Sequence, residues 1–504
     1  MVSITKTSSV ALLAGATLLL SFPAMATVNS WSSPPTTLSV AGQSAEDVVV
    51  VSSNGLAVAA WERNNGTDDI IQVSTSLNGG TWSTPAVDIS PVLFNSGDVQ
   101  LAVNSSNLFM AVWEGDVDAS TSTDVIWFST SSDGLSWSSP PLALSSSISG
   151  EDADDPQLTV GANGLITVVW EYNNGTDDII QSRSTLDGIT WTPVFDLTGS
   201  GEDAFDPRLA VTPAGVTLAF WETDDGQSWR IQSRSTSNGT SWTDIVGVSG
   251  VWAEEDAYNP QVTVNSNGLV LVVFELDSGS TSIIRSSFSS DGLIWSGGPI
   301  SSIEGDSLGQ QVTVNSSGLF TAVWVDEGTD DIIQSSSSMD GINWSPIKNL
   351  SAAGRDSQDP QLTVNSAGIF VVVWEGDKSE QDSDDVIWWS SSSDGVNWSV
   401  ALPVYSSDDT LDADNPKVTA DSTTGRVTAA WERDPDSNTD SDIIQASYIT
   451  LAGGQGQGPA TPSSTTTPTL AATGANVEWL VVAGLIAVIA GAGFLTVSRR
   501  KRTA

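Results

Sequence analysis

Apolar and polar positions along the chain repeat one phrase. It opens with apolar residues on alternate positions, as in Gln361-Leu362-Thr363-Val364. A turn follows, Asn365-Ser366-Ala367-Gly368, with residues that tolerate positive φ. Ile369 to Trp374 is then a nearly continuous apolar run, the pattern of a strand covered on both faces. A third apolar segment runs from Val386 to Ser391, a Ser-Asp-Gly turn follows, and a fourth segment starts at Trp398. The phrase predicts four short strands, A to D. Its B strand ends in Trp-Glu at Trp61-Glu62, Trp113-Glu114, Trp170-Glu171, Trp221-Glu222, Trp374-Glu375 and Trp431-Glu432, with Phe274-Glu275 and Trp324-Val325 as variants. Successive copies lie 50 to 57 residues apart. No stretch outside the two ends of the chain has helical period.

Four-stranded units of this length, repeated up to eight times, are the mark of propeller blades, with an open stack of sheets as the alternative. The ends of the repeat favour closure. The last unit has strands A, B and C, the third being Asp442 to Thr450, but no Trp-bearing strand D. The first segment, Asn29-Ser30-Trp31-Ser32, is an orphan strand D that can complete it and remove the open edge. The expectation is an all-β, eight-bladed propeller over residues 27–452, closed by its N-terminal strand.

The turn between strands C and D reads S-x-D-G-x-x-W and carries Asp133 and Trp137, Asp187 and Trp191, Asp291 and Trp295, Asp340 and Trp344, and Asp394 and Trp398. These turns resemble the Asp-box repeats of the sialidase superfamily, whose pattern is one residue longer. The resemblance covers about residues 28–450. It implies that each Asp accepts backbone hydrogen bonds within its turn and each Trp packs between strands, a structural role. Sialidases of that family use an arginine triad, a Tyr nucleophile with a Glu partner, and an acid/base Asp. The chain lacks the family's N-terminal R-I-P-type segment, and its repeat region holds nine Arg and four Tyr (Tyr172, Tyr258, Tyr405, Tyr448) in no matching context. No catalytic residue is assigned. A Glu present in nearly every blade reads as architecture, since an active site needs one constellation.

The two ends of the chain carry an address. Residues 1–26 read as a signal peptide: Lys6, an apolar run from Val10 to Phe22, and Ala24-Met25-Ala26 for cleavage. Residues 453–469 form a Gly/Ser/Thr/Pro stalk. Then come Leu470-Ala471-Ala472-Thr473-Gly474, an uncharged stretch over 479–497 long enough for a bilayer helix, and a tail over 498–504 holding Arg499-Arg500-Lys501-Arg502. This order resembles the cell-wall sorting signal of Gram-positive surface proteins, in the LAxTG form read by class E sortases. It implies cleavage between Thr473 and Gly474, with sortase and peptidoglycan as partners. A plain membrane anchor is the alternative. Either way the protein is expected at the cell wall or membrane surface of a Gram-positive-type bacterium.

Composition narrows the chemistry. The chain has no Cys and no His, which removes thiol chemistry and the commonest acid–base group. Between residues 27 and 460 there are 60 acidic and 12 basic side chains, a field that repels nucleic acid. Propeller connectivity puts the acidic B–C and D–A loops on one face. Two B–C loops place acceptors on alternate residues, which suits Ca2+: Asp434, Asp436, Asn438, Asp440 and Asp442, and Asp116, Asp118, Ser120, Ser122 and Asp124. A solvated loop is the other reading. Trp229 and Arg230 replace an Asp-Ile found elsewhere, and Trp252 sits in an acidic D–A loop, so these three are candidate ligand contacts. The expectation for function is a non-enzymatic binding or adhesion module that shows an acidic face to a glycan or protein partner. A sialidase-like exo-glycosidase and a passive envelope coat are the alternatives.

Overall fold

A computed structural model of the chain describes residues 30–451, apart from 93, 118–122, 149, 200, 225, 227, 251–254, 380–381, 406–410 and 435–440. The signal peptide, stalk, sorting motif and apolar C-terminal segment lie outside the described residues.

Eight antiparallel four-stranded sheets follow one another along the chain. Blade 2 is representative: strand A is Ser96–Val103, B is Phe109–Asp116, C is Asp124–Ser131 and D is Leu142–Ala143. The A strands touch one another in sequence order and the last, Ala413–Ala420, meets the first, Ala45–Ser53, so the ring is closed. The N-terminal segment completes blade 8, with Thr36↔Ala446 and Thr37↔Gln445. Ser32 and Leu38 donate their N–H groups to Tyr448 and Ile444 at 2.8 Å, and Trp31 is buried.

Outside blade 5, where it is Ser296–Pro299, the D strand has two residues and starts later than the pattern predicts. In blade 7 the D ladder is Leu402–Pro403, not the segment beginning at Trp398. In blades 1, 2 and 8 prolines stand between the turn Trp and the ladder, at Pro85, Pro140-Pro141 and Pro34-Pro35, and proline has no N–H to give a ladder.

The protein has no single core. Eight apolar clusters each lie between two neighbouring blades. Strand B explains its own sequence. Phe109, Ala111 and Trp113 pack toward blade 1, while Met110 and Val112 pack toward blade 3. Alternation sends successive side chains to opposite blades, and both faces are buried, so the run is apolar throughout. The adjacent Trp and Glu divide in the same way. Trp113 joins the cluster shared with the preceding blade, and Glu114 faces the following one, where it meets Asp155.

Candidate functional site: the acidic mouth of the channel

Every A strand slips register once, for example between Asp154 and Gln157 or between Asp414 and Lys417. The bulged residue takes a positive φ: Asp47, Asp98, Asp155, Asp206, Asn259, Gly309, Asp359 and Asn415. Asp, Asn and Gly are the residues that enter this region most easily. Five bulges continue into Pro156, Pro207, Pro260, Pro360 and Pro416, placed where the ladder needs no donor.

The B-strand Glu of each blade accepts the bulge N–H of the next. Glu62 takes Asp98 at 2.7 Å, Glu114 takes Asp155 at 3.1 Å, Glu171 takes Asp206 at 2.6 Å, and Glu222 takes Asn259. Glu275 takes Gly309 at 3.1 Å, Glu375 takes Asn415 at 2.9 Å, and Glu432 takes Asp47 at 2.8 Å across the closure. Blade 6 has Val325 at this position. The repeated Glu is thus an inter-blade latch.

The latch crowds carboxyl groups around the channel. Burial pushes them upward and neighbouring carboxylates add to it: Glu62 to about 9, Glu375 to about 8, Glu432 and Glu275 to about 7, and Asp98 and Asp155 to about 6. Glu114, Glu171 and Glu222 stand well above the usual carboxylate range for the same reason. Two cations lie among them. Lys417 is buried, with Asp359, Glu432, Asp47 and Glu375 around it. Arg208 is buried between Asp155 and Glu222.

The acidic loops have a local task. An Asp at or just before the start of strand A accepts an N–H near the start of strand C: Asp152 from Asp124 at 3.3 Å, Asp203 from Asp178 at 3.1 Å, Asp256 from Trp229 at 2.8 Å and Asp412 from Asp385 at 2.9 Å. This ties the B–C loops to the D–A loops on one face. On this face Asp124 and Asp414 stand at about 6 and Asp154 and Asp385 at about 7, through burial first and repulsion by neighbouring carboxylates second.

The proposed calcium ligands lie only in part within the described residues. Asp116 and Asp124 are a cross-strand pair, and Asp434 and Asp442 flank a loop whose Asp436, Asn438 and Asp440 lie outside the described residues, as does Asp118. Among the described residues no group of three acidic side chains is placed to hold a metal ion. Trp252 also lies outside the described residues.

In the C–D turns, Asp133 accepts the N–H of Leu135 and Ser136 at 2.8 and 2.7 Å, and Asp187, Asp291, Asp340 and Asp394 do the same in their turns. These bonds hold Asp133 and Asp187 down to about 2. Trp137, Trp344 and Trp398 donate to Gly134, Gly341 and Gly395. Trp191 and Trp295 set their rings edge-on to Phe128 and Phe220 of the preceding blade.

Two features of the mouth bear on ligand binding. The first is a polar cavity of 560 Å³ against blade 1, lined by Gly42, Gln43, Ser44, Glu46, Glu62, Asn64, Gly66 and Asp69. Glu46 and Glu62 are direct cross-strand partners there. Glu46 is exposed and accepts the Ser44 hydroxyl at 2.5 Å; Glu62 shares a hydrogen bond with Asp47. The second is an aromatic strip. Trp229 lies between Phe205 and Tyr258, with ring centroids 5.7 and 5.8 Å away and planes tilted by 41° and 40°. All three rings are half-buried. Sequence reasoning named Trp229 and Arg230 but missed Phe205 and Tyr258. The signal was their place just before the bulge, where other blades carry Glu46, Gly97, Asp154, Leu308, Gln358 and Asp414.

No family model matches the chain, and no curated protein matches it. The Asp-box and sorting-signal resemblances therefore rest on their own residues. Solved structures of similar fold do exist. An ulvan lyase from a polysaccharide lyase family is 11% identical with a TM-score of 0.49, covering 83% of this chain and 96% of its own. An α-L-arabinanase of Penicillium chrysogenum is 15% identical with a TM-score of 0.40, covering 55% and 88%. A protein of unknown function from Dyadobacter fermentans is 12% identical with a TM-score of 0.43, covering 72% and 97%. At these identities the likeness is one of fold alone.

Proposed function

We propose that this protein is a carbohydrate-active propeller of the cell surface, and that a glycan seats in the cavity on blade 1. The observation that carries the reading is the cavity itself. Blades 1, 3 and 8 each offer a cross-strand carboxyl pair, Glu46 with Glu62, Asp154 with Glu171 and Asp414 with Glu432, and sequence alone gives no reason to prefer one. The cavity has Glu46 and Glu62 in its wall and leaves room beside them for a sugar unit.

The two carboxyl groups suit different tasks. Burial and the carboxylates of Asp47, Asp98 and Asp69 raise Glu62 to about 9, so it holds a proton at neutral pH. One of its oxygens is occupied by the Asp98 N–H, and its proton is shared with Asp47. Glu62 can give that proton to a glycosidic oxygen as the bond to the anomeric carbon breaks. Exposed Glu46 takes a proton from the water that attacks that carbon, and the proton returns to Glu62 through solvent. A buried carboxyl that keeps its proton, beside an exposed one open to water, is an arrangement suited to acid–base cleavage of a glycoside. Sialic acids fit the mouth less well than neutral or cationic sugars, because its carboxylates repel an anion. The groups that act most strongly on Tyr258, after burial, are Asp256, Glu222 and Asp277, and they push its hydroxyl up, the reverse of what a phenolate nucleophile needs.

The test is incubation of the full chain with a panel of neutral, amino and acidic oligosaccharides, following new reducing ends and binding together. New ends that vanish in Glu62→Gln support hydrolysis at this cavity. Saturable binding without new ends restores the non-enzymatic adhesion reading. A panel that neither binds nor is cleaved overturns both.

A further inference from the structure

The aromatic strip and the cavity stand on opposite sides of the channel mouth. The strip belongs to blades 4 and 5: Phe205 is on Asp203–Val211, Trp229 on Trp229–Thr236 and Tyr258 on Asp256–Val264. In a closed ring of eight, blade 5 lies across from blade 1. The strip also replaces acid by aromatic surface at three positions at once. Phe205 and Tyr258 stand where blades 1, 3 and 8 have Glu46, Asp154 and Asp414. Trp229 opens a C strand where blades 1, 2 and 3 have Asp69, Asp124 and Asp178. Three such changes on adjacent blades converge in one ring-to-ring row. None of the eight inter-blade clusters includes these rings.

We propose that Phe205, Trp229 and Tyr258 form a second saccharide site that holds one end of an amino-sugar chain whose other end lies in the blade 1 cavity. The substrate class is thus a polymer or long oligomer with free amino groups, not a single sugar. This inference rests on the reading of the cavity only for the far end of the chain.

The chemistry of the strip names the class. Aromatic faces take the apolar ring hydrogens of a pyranose, and they also attract a cation. Four carboxylates border the rings in cross-strand pairs, Asp203 with Asp224 and Asp256 with Asp277. Arg208 and Arg230 oppose them, so the border stays negative. Asp256 is tied to both aromatic strands, since it accepts the Trp229 N–H at 2.8 Å and bonds to the Tyr258 side chain. An anionic chain meets repulsion here, and a neutral chain gains only the stacking. A chain bearing ammonium groups gains stacking and charge together, at the strip and along the acidic rim toward blade 1.

The experiment is calorimetric titration of the full chain with glucosamine disaccharide and octasaccharide, and with the N-acetylated octasaccharide. The expected result is an octasaccharide bound at least about tenfold more tightly than the disaccharide, and more tightly than its acetylated form. Trp229→Ala should erase that gain with length and Trp229→Tyr should keep most of it. Tyr258→Ala is the second variant should Trp229→Ala not fold. Equal octasaccharide affinity in wild type and variant overturns the strip, and equal affinity for the acetylated chain overturns the amine. The two sites fail separately. Absence of disaccharide binding with a Trp229-dependent octasaccharide affinity refutes the cavity and supports the strip. Disaccharide binding with a length gain indifferent to Trp229 refutes the strip and leaves the cavity.

Discussion

Glu375 gives the sharpest test of the inter-blade latch. Its carboxyl accepts the Asn415 N–H at 2.9 Å and is raised from 4.5 to about 8, by burial first and by Asp359 second. Below pH 4.5 the group is protonated in the folded and unfolded chains alike, and its contribution is fully present. Between 4.5 and about 8 the unfolded chain has lost the proton and the folded one keeps it, so stability falls as pH rises, by about 1 kcal/mol per pH unit. Above about 8 the loss is complete. Relaxation and water entry reduce the sum, which we set on the order of 3 kcal/mol. Glu375→Gln keeps an acceptor for Asn415 and cannot ionise. Its stability relative to wild type should therefore climb from pH 5 to 8 and level off above. Glu375→Ala strands the N–H and should lose about 1–3 kcal/mol more than the Gln variant at every pH. Denaturant unfolding followed by tryptophan fluorescence at pH 5, 6, 7 and 8 reads the difference. Wild-type and Gln midpoints that run parallel across that range would refute the account.

Three further outcomes follow from the same geometry. Asp133→Ala should lower stability by about 1–2 kcal/mol by freeing two turn N–H groups, whereas Asp133→Asn should be nearly neutral, since Asn78 and Asn238 accept the same pair of N–H groups in blades 1 and 4; thermal unfolding at pH 7 compares them. The wild-type contribution of Asp133 is present above its unfolded value of 3.8 and is lost as pH falls through about 2. Gly134→Ala should be costlier, on the order of 3 kcal/mol. Its φ is +71°, and a new Cβ would stand 2.5 Å from Thr75 Cγ2 and 2.8 Å from Val58 Cγ2 of blade 1. Deleting residues 27–38 should expose the C strand of blade 8 and strip Trp31 from Trp389, 5.7 Å away. Dimerisation, aggregation or loss of the cooperative transition in light scattering and calorimetry is expected; an unchanged monomeric transition would count against closure by this strand.

The fold was legible because each blade needs the same few things. Period-two alternation, an apolar B strand and a turn of fixed chemistry are local demands, and eight copies make them visible. The A-strand bulge was less legible. Asp-Pro in Asp155-Pro156 or Asp359-Pro360 reads as a turn, yet the chain stays in the strand and only slips register. One task of the acidic loops was hidden for a related reason. Asp152 and Asp412 accept an N–H near the start of strand C, a tie between segments far apart in sequence. Nothing local marks such a partner. Phe205 and Tyr258 escaped because each alone looks like a strand aromatic. Only the ring shows that they meet across two blades with Trp229 between them.

The buried cations bear on why the proton donor is placed at blade 1. A ring of latches must dispose of its negative charge, and the protein does so in two ways. Lys417 serves the arc from Asp359 to Asp47, and Arg208 serves the arc from Asp155 to Glu222. Between those arcs lie Glu62 and Asp98, and the charges acting on Glu62 most strongly are carboxylates: Asp47, Asp98 and Asp69. Glu62 keeps its proton up to about 9, above Glu375 at about 8 and Glu432 at about 7 beside Lys417. A bound proton, unlike a lysine, can leave. The cavity opens onto that stretch, with Glu46 and Glu62 both in its wall. A Lys or Arg placed at Val49, the position that Arg208 and Lys417 hold in their own A strands, should therefore lower the Glu62 value and abolish acid catalysis while leaving sugar affinity measurable. A variant Val49→Lys that folds and still releases reducing ends at the wild-type rate would show that the proton on Glu62 has no part in the chemistry.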